Sequence, residues 1–309
     1  MNLTYLKHNE IDKQKWENCI LNAINGNLYA YAWYLDIVSP NWEAFVSDNY
    51  EVVIPLTVKK MLGFRTLQQP LFTQQLGVFT TNAVLLSKTE DYIQQAVKLF
   101  PYCNFQVNKH NIVNNPSSNY FTTINKINYE LDLIPSYEYL SKKYHTNTKR
   151  NIAKARQHEL ILKINDISAQ TFVDFVRKNV GFKVPQLKTN DYQKMLQIIK
   201  FAEKYKFGQS YNVYDERKRL VSIAYFIFSH NKIYYLFAAN SPVGKEKRAM
   251  FFLLDEFIRK YAEKNVILDF EGSMIPGLAR YYEGFGAIAG KYQQIISNHL
   301  PFYIRWIKK

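Results

Sequence analysis

The alternation of apolar and polar positions predicts a chain in which helices and strands are interleaved. From Ile11 to Ala23, Trp16, Cys19, Ile20 and Ala23 recur at helical spacing. The turn Asn25-Gly26 comes next, then the aromatic stretch Leu28–Val38, a second helix closed by Ser39-Pro40. Strand patterns occupy Trp42–Ser47 and Glu51–Lys59, joined at Asp48-Asn49, with further extended pieces around Leu67 and Val78. A helix over Lys88–Leu99 stops at Phe100-Pro101; strands Asn104–Asn108 and Asn119–Asp132 flank a Pro- and Ser-bearing loop.

Pro135-Ser136 reads as a boundary, giving domains 1–135 and 136–309. Beyond it, a helix from near Tyr137 carries Leu140, Tyr144, Ile152 and Ala155 as a narrow apolar stripe. Helices over Ala169–Asn179 and Asp191–Tyr205 precede a meander of strands Gly208–Asp215, Leu220–Ser229 and Lys232–Ala239. After Ser241-Pro242-Val243-Gly244 a helix extends through Lys264, succeeded by a buried-type strand Val266–Phe270. A short helix at Leu278–Tyr282 and a strand Lys291–Ser297 close the chain. Both halves share the order helices, meander, helix, strand. The fold class expected is α/β (α+β), with a mixed, mostly antiparallel sheet flanked by helices in each half.

Composition adds one feature. The 309 residues carry a formal charge of +14, and it is unevenly placed. Residues 1–135 hold 10 lysines and arginines against 11 acids, whereas residues 136–309 hold 30 against 15. A bias in codon supply explains abundant lysine but not its confinement to one half, so the second half is expected to meet an anionic partner. The stretch Ser141–Lys163, read as one basic helix, carries seven cations and a single acid, Glu159. No apolar run reaches the roughly 18–20 residues of a membrane span, and no cationic leader with an apolar core opens the chain. Cys19 and Cys103 stand alone. These features predict a cytoplasmic protein with reduced thiols.

Several familiar signals fail. Gly284-Phe285-Gly286-Ala287-Ile288-Ala289 spells GxGxxA but succeeds a helix and opens a strand, the reverse of a dinucleotide fingerprint. There is no phosphate-loop motif and no GxSxG elbow, and the histidines lack metal-ligand spacing. Neither a metal nor a redox nucleotide is expected.

The order from Gly208 to Ser297 resembles the GNAT acyltransferase fold. Leu268-Asp269-Phe270-Glu271-Gly272-Ser273, with Gly277-Leu278-Ala279-Arg280-Tyr281-Tyr282-Glu283-Gly284-Phe285-Gly286-Ala287, is similar to the Fem family. These are aminoacyltransferases of peptidoglycan bridges, with acyl-CoA-using relatives. The basic run from Leu140 to Ala155 is similar to the segment opening their second domain, and Tyr31–Leu35 and Val53–Leu56 match weaker motifs. The resemblance implies two GNAT-like domains and transfer of an acyl or aminoacyl group to an amine. The donor would be acyl-CoA or aminoacyl-tRNA.

Candidate chemistry then falls on few residues. Gly244, Lys245, Lys247 and Arg248 sit where a loop opens a helix, and such a place can cradle donor phosphates; a plain surface turn before an amphipathic helix is the competing reading. Asp269 and Glu271, two apart on a strand, face one side, where they could hold the amine or take its proton; capping of the next turn is the competing reading. By the resemblance, Tyr282 stands where GNAT enzymes often place a tyrosine that can protonate a leaving thiolate; core packing is the competing reading. Arg150 and Lys154, four apart on a helix, and Lys291 could grip phosphates of the acceptor or donor. The acceptor expected is an anionic small molecule or lipid-linked precursor, with tRNA among the partners and peripheral membrane contact left open. A non-catalytic GNAT-shaped binder of tRNA or another polyanion is the alternative.

Overall fold

The computed structural model describes residues 3–113, 120–181, 187–272 and 274–306. The chain forms two compact units, one of residues 1–126 with 291–309 and the other of residues 127–290. The sequence places the division at 135/136 and keeps the last strand in the second half. The units instead divide within two long strands, and the closing segment is assigned to the first.

The first unit runs β1 (Thr4–Leu6), α1 (Lys13–Asn22), α2 (Ala32–Val38), β2 (Glu43–Val46), β3 (Val52–Leu56), β4 (Val58–Met61), β5 (Phe64–Gln68), β6 (Phe79–Thr80), α3 (Thr89–Lys98) and β7 (Tyr102–Val107). Asp12 caps α1 by accepting from the Gln14 and Lys15 amides. The strand expected over Glu51–Lys59 is cut at Thr57. β3 joins the sheet β1-β2-β3-β6, while β4 pairs with β5 in a different sheet. Thr57 fixes the break by donating to the Gln68 carbonyl at 2.7 Å. β5 lies parallel to β7. Val52, Ile54, Val97, Cys103 and Phe105 belong to the core between sheet and helix. Burial pushes both thiols, Cys19 and Cys103, up to about 12.

The second unit begins within β8 (Thr122–Asp132) and continues α4 (Tyr137–Lys142), α5 (Thr146–Arg156), β9 (Ile161–Ile164), α6 (Ala169–Val180), α7 (Thr189–Lys204), β10 (Gly208–Tyr214), β11 (Leu220–Ser229) and β12 (Lys232–Asn240). Then come α8 (Pro242–Glu246), α9 (Ala249–Tyr261), β13 (Ile267–Asp269) and α10 (Pro276–Gly284). β14 (Ile288–Asn298) and α11 (Phe302–Arg305) close the chain. The sheet order is β8-β13-β12-β11-β10-β9, antiparallel except for β12 with β13. α9 packs on it through Phe257, stacked on Phe226 at 3.7 Å.

Two expectations about helices are corrected. The basic run is not one helix to Lys163: it breaks between α4 and α5, ends at Arg156, and Ile161–Ile164 pairs with β10 as an edge strand. The helix after Gly244 is interrupted too, because Arg248 takes a left-handed φ of 58° between α8 and α9. Periodicity alone continues across both breaks. Among the described residues no helix is long and apolar enough to cross a membrane.

Candidate active site

The site grows from the end of the parallel pair β12 and β13 in the second unit. β12 and β13 are in register from Lys232↔Ile267 to Tyr234↔Asp269, and there β13 stops. Glu271 and Gly272 take left-handed φ of 64° and 62°, which turns the chain out of the sheet. On its other side β12 carries an extra residue: Tyr235 opposes Phe226 and Phe237 opposes Tyr225, leaving Leu236 as a bulge. Beyond that point Leu236, Ala238 and Asn240 line a cavity of about 520 Å³. Met250 and Phe251 of α9, Phe270, Glu271, Leu278, Tyr281 and Tyr282 complete most of its wall, with Lys245 and Arg248 as its cations. An apolar hollow with few convergent polar groups is the usual form of a small-molecule site.

The polar groups are unequal. Tyr282 is buried and stacks on Phe270 with ring centroids 4.8 Å apart. Burial first, and then the charge of Glu271, hold its phenol above the usual tyrosine range. Tyr281 packs edge-on to Phe251 at 4.8 Å, and its buried hydroxyl has no hydrogen-bond partner among the described residues. Burial raises its pKa as well. Both hydroxyls therefore keep their protons at neutral pH and can donate to a ligand.

The structure separates the two acids that alternation puts on one side. Asp269 is the last strand residue and is buried. It accepts from Asn128 Nδ2 (3.0 Å), Lys232 Nζ (3.2 Å) and the Glu271 amide (3.0 Å). It thus holds the sheet end and caps the next turn. Burial opposes the Lys232 charge, but Asp269, Tyr234 and Glu130 together outweigh it and raise that ammonium above its usual range. Glu271, one residue beyond Phe270 and outside the strand, lines the cavity instead. The alternation rule applies only while the backbone stays extended, and positive φ ends it here.

The expected phosphate loop divides in the same way. Its residues 242–246 form α8, and Pro242 at its first position has no amide hydrogen to offer. The Gly244 amide is satisfied by Ser241 Oγ at 3.0 Å. A Cβ on Gly244 would fall 2.2 Å from both the Val221 carbonyl and Asn240 Oδ1, so this glycine serves close packing of α8 on β11. Lys247 pairs with Glu216 at 2.6 Å and does not line the cavity; Lys245 and Arg248 do. Arg150 and Lys154 are both exposed on α5 and are not cavity residues. Lys291 is exposed in the first unit. Sequence reasoning missed Leu236, Ala238, Met250 and Phe251. A bulge and a splayed pair leave no periodic signal, although Phe251 sits one turn inside a helix that the pattern did locate.

No protein-family model matches the sequence, and no curated protein matches it. Solved structures do. FemX superposes with a TM-score of 0.67 at 11% identity, covering 100% of each chain. A conserved protein of unknown function from Bacteroides thetaiotaomicron gives 0.58 at 10% identity, over 93% of this chain and 96% of that one. L-PGS from Bacillus licheniformis gives 0.57 at 10% identity, over 96% and 95%. The chain therefore shares the fold of FemX along its whole length.

Proposed function

We propose that the second unit is an N-acyltransferase. The reading rests on one observation: the cavity at the parting of β12 and β13 gathers a carboxylate, two protonated phenols and two cations around an apolar hollow. The fold shared with FemX and L-PGS supports acyl transfer as the reaction class. The donor is acyl-CoA or aminoacyl-tRNA, its phosphates meeting Lys245 and Arg248.

The amine nitrogen of the acceptor attacks the donor carbonyl carbon. The new C–N bond forms as the C–S bond of a thioester, or the C–O bond of an ester, breaks. Glu271 takes the proton that the amine loses. Tyr282, whose raised pKa keeps it protonated, gives its proton to the leaving thiolate or alkoxide. Asp269 acts behind them by fixing the turn that carries Glu271. Arg150 and Lys154 offer exposed cations to an anionic or lipid-linked acceptor.

Assays with acyl-CoA and with charged tRNA test the assignment. Glu271→Gln is expected to lower kcat about a hundredfold with the donor Kd unchanged. Lys245→Ala with Arg248→Ala is expected to weaken donor binding while sparing kcat. Wild-type turnover in Glu271→Gln would overturn the role of that carboxylate. The exposed cations of α5 favour a second reading, a polyanion binder without chemistry. A steep salt dependence of RNA binding, with no acyl transfer to any amine, would favour it.

A further inference from the structure

The closing segment of the first unit is amphipathic in the inverted sense. Leu300 is fully buried. Asn298 Nδ2 donates to the Arg305 carbonyl at 3.1 Å, and Arg305 Nε donates to the Leu300 carbonyl at 3.0 Å. The polar side chains thus pin α11 to the protein, while its aromatic side chains face water. Phe302 is 85% exposed, Trp306 67% and Tyr303 61%. Phe302 and Tyr303 pack edge to face at 5.5 Å, and Trp306 Nε1 donates to the Tyr303 carbonyl at 2.9 Å, so the group is ordered as one surface.

That surface continues. His299 donates its amide to the Pro101 carbonyl (2.7 Å) and lies edge-on to Tyr120 (6.2 Å). Lys98 Nζ sits 4.8 Å from the centre of the Tyr120 ring. Leu99, Tyr120 and Ile124 are themselves exposed. Lys98 and the exposed Arg305 are cations of this face, and residues 93–108, 120–126 and 291–306 contain no acid.

We infer that this face of the first unit docks on an anionic phospholipid bilayer. Tryptophan and tyrosine favour the headgroup level, where an apolar ring and a polar edge are both accommodated. Phenylalanine and the aliphatic Leu99 and Ile124 gain by entering the acyl boundary, and Lys98 and Arg305 meet the negative surface potential. Aliphatic groups offer nothing to an unstacked base, which argues for lipid over single-stranded nucleic acid.

Flotation of the full chain with vesicles tests this, using phosphatidylcholine alone or with about one third phosphatidylglycerol. Binding is expected on the anionic vesicles, weakened by salt and accompanied by a blue shift of tryptophan emission. Trp16 and Trp42 are fully buried and Trp33 half-buried, so Trp306 dominates the change. Phe302→Ser with Trp306→Ser is expected to lower the affinity about tenfold or more, and Lys98→Glu to lower it less. Unchanged thermal unfolding of the variants serves as the folding control. Equal binding by wild type and the Phe302→Ser/Trp306→Ser variant overturns the inference. So does absence of vesicle binding, whether the same substitutions convert a dimer to a monomer or remove RNA binding instead.

Discussion

Each unit contains a parallel strand pair, and the two pairs end differently. In the first unit, β5 and β7 are in register at Leu67 and Gln68, and the chain then lays its own residues along β7. The Gln69 amide donates to Asn104 O (2.8 Å), the Leu76 amide to Gln106 O (2.9 Å), and the Asn108 amide to Leu76 O (2.8 Å). The Gln69 side chain accepts from the Gln106 amide and donates to the Thr73 carbonyl. In the second unit, β12 and β13 part at Tyr234 and Asp269, and the cavity opens beyond them. A parallel pair whose diverging end is filled by the protein's own backbone is a scaffold. Left open, with a bulge beside it, the same arrangement leaves a cavity where a further strand would lie.

The contrast can be broken at its strongest point by Gly244→Val. The added side chain would collide with the Val221 carbonyl and Asn240, and a loss of about 3 kcal/mol or more is expected in urea unfolding. Filling the open end is the sharper experiment. Ala238→Phe should lower acyl transfer about a hundredfold through lost donor binding while leaving the unfolding midpoint nearly unchanged. Equal loss of stability and activity would mean that the cavity is not a ligand site.

The first unit has a pH signature of its own. Burial pushes the Glu17 carboxyl from 4.5 up to about 7, against the Ala32 and Trp33 amides that favour its charge. The folded chain keeps this proton to near pH 7, while the unfolded chain releases it near 4.5. The native state binds more protons between those values, so this contribution is complete below about pH 4.5 and disappears as pH rises through 7. Its size is on the order of 2 kcal/mol. Glu17→Gln should flatten the stability profile from pH 5 to 7. A profile unaltered by that substitution would place the slope elsewhere.

The smallest effect is expected from Gln69→Ala, which removes two side-chain hydrogen bonds from the filled end. About 1–2 kcal/mol of stability should be lost, with kcat per folded molecule unchanged. A fall in kcat would make the filled pair part of the catalytic apparatus and end the distinction drawn between the units.

How much of the molecule is legible in its sequence depends on the residue. The meander β10–β11–β12 and helices α6 and α7 come from period alone, since each buries one regular face. The closing motif from Leu268 to Ala287 carries the resemblance to the fold, and Glu271 and Tyr282 within it line the cavity. It does not distinguish Asp269 from Glu271, because a positive φ at Glu271 has no signature in a non-glycine residue. Nor does it indicate that Lys247 is engaged by Glu216 while Lys245 and Arg248 reach the cavity. The basic run that reads as one helix is two helices and an edge strand, and Arg156 within it is held by Asp255 and Glu256.

The sequence by itself determined the alternation of elements, the fold class and the confinement of positive charge to one half. Each of these is written in short-range periodicity or in composition, which survive without knowledge of distant contacts. Tertiary structure alone decided which acid faces the cavity, which glycine amide is already satisfied, and which aromatic rings face water. Those outcomes turn on partners far away in the chain: Lys232 for Asp269, Val221 for Gly244, and Leu300 as the buried anchor beside Phe302 and Trp306. Only the folded chain brings such groups within a few ångströms of one another.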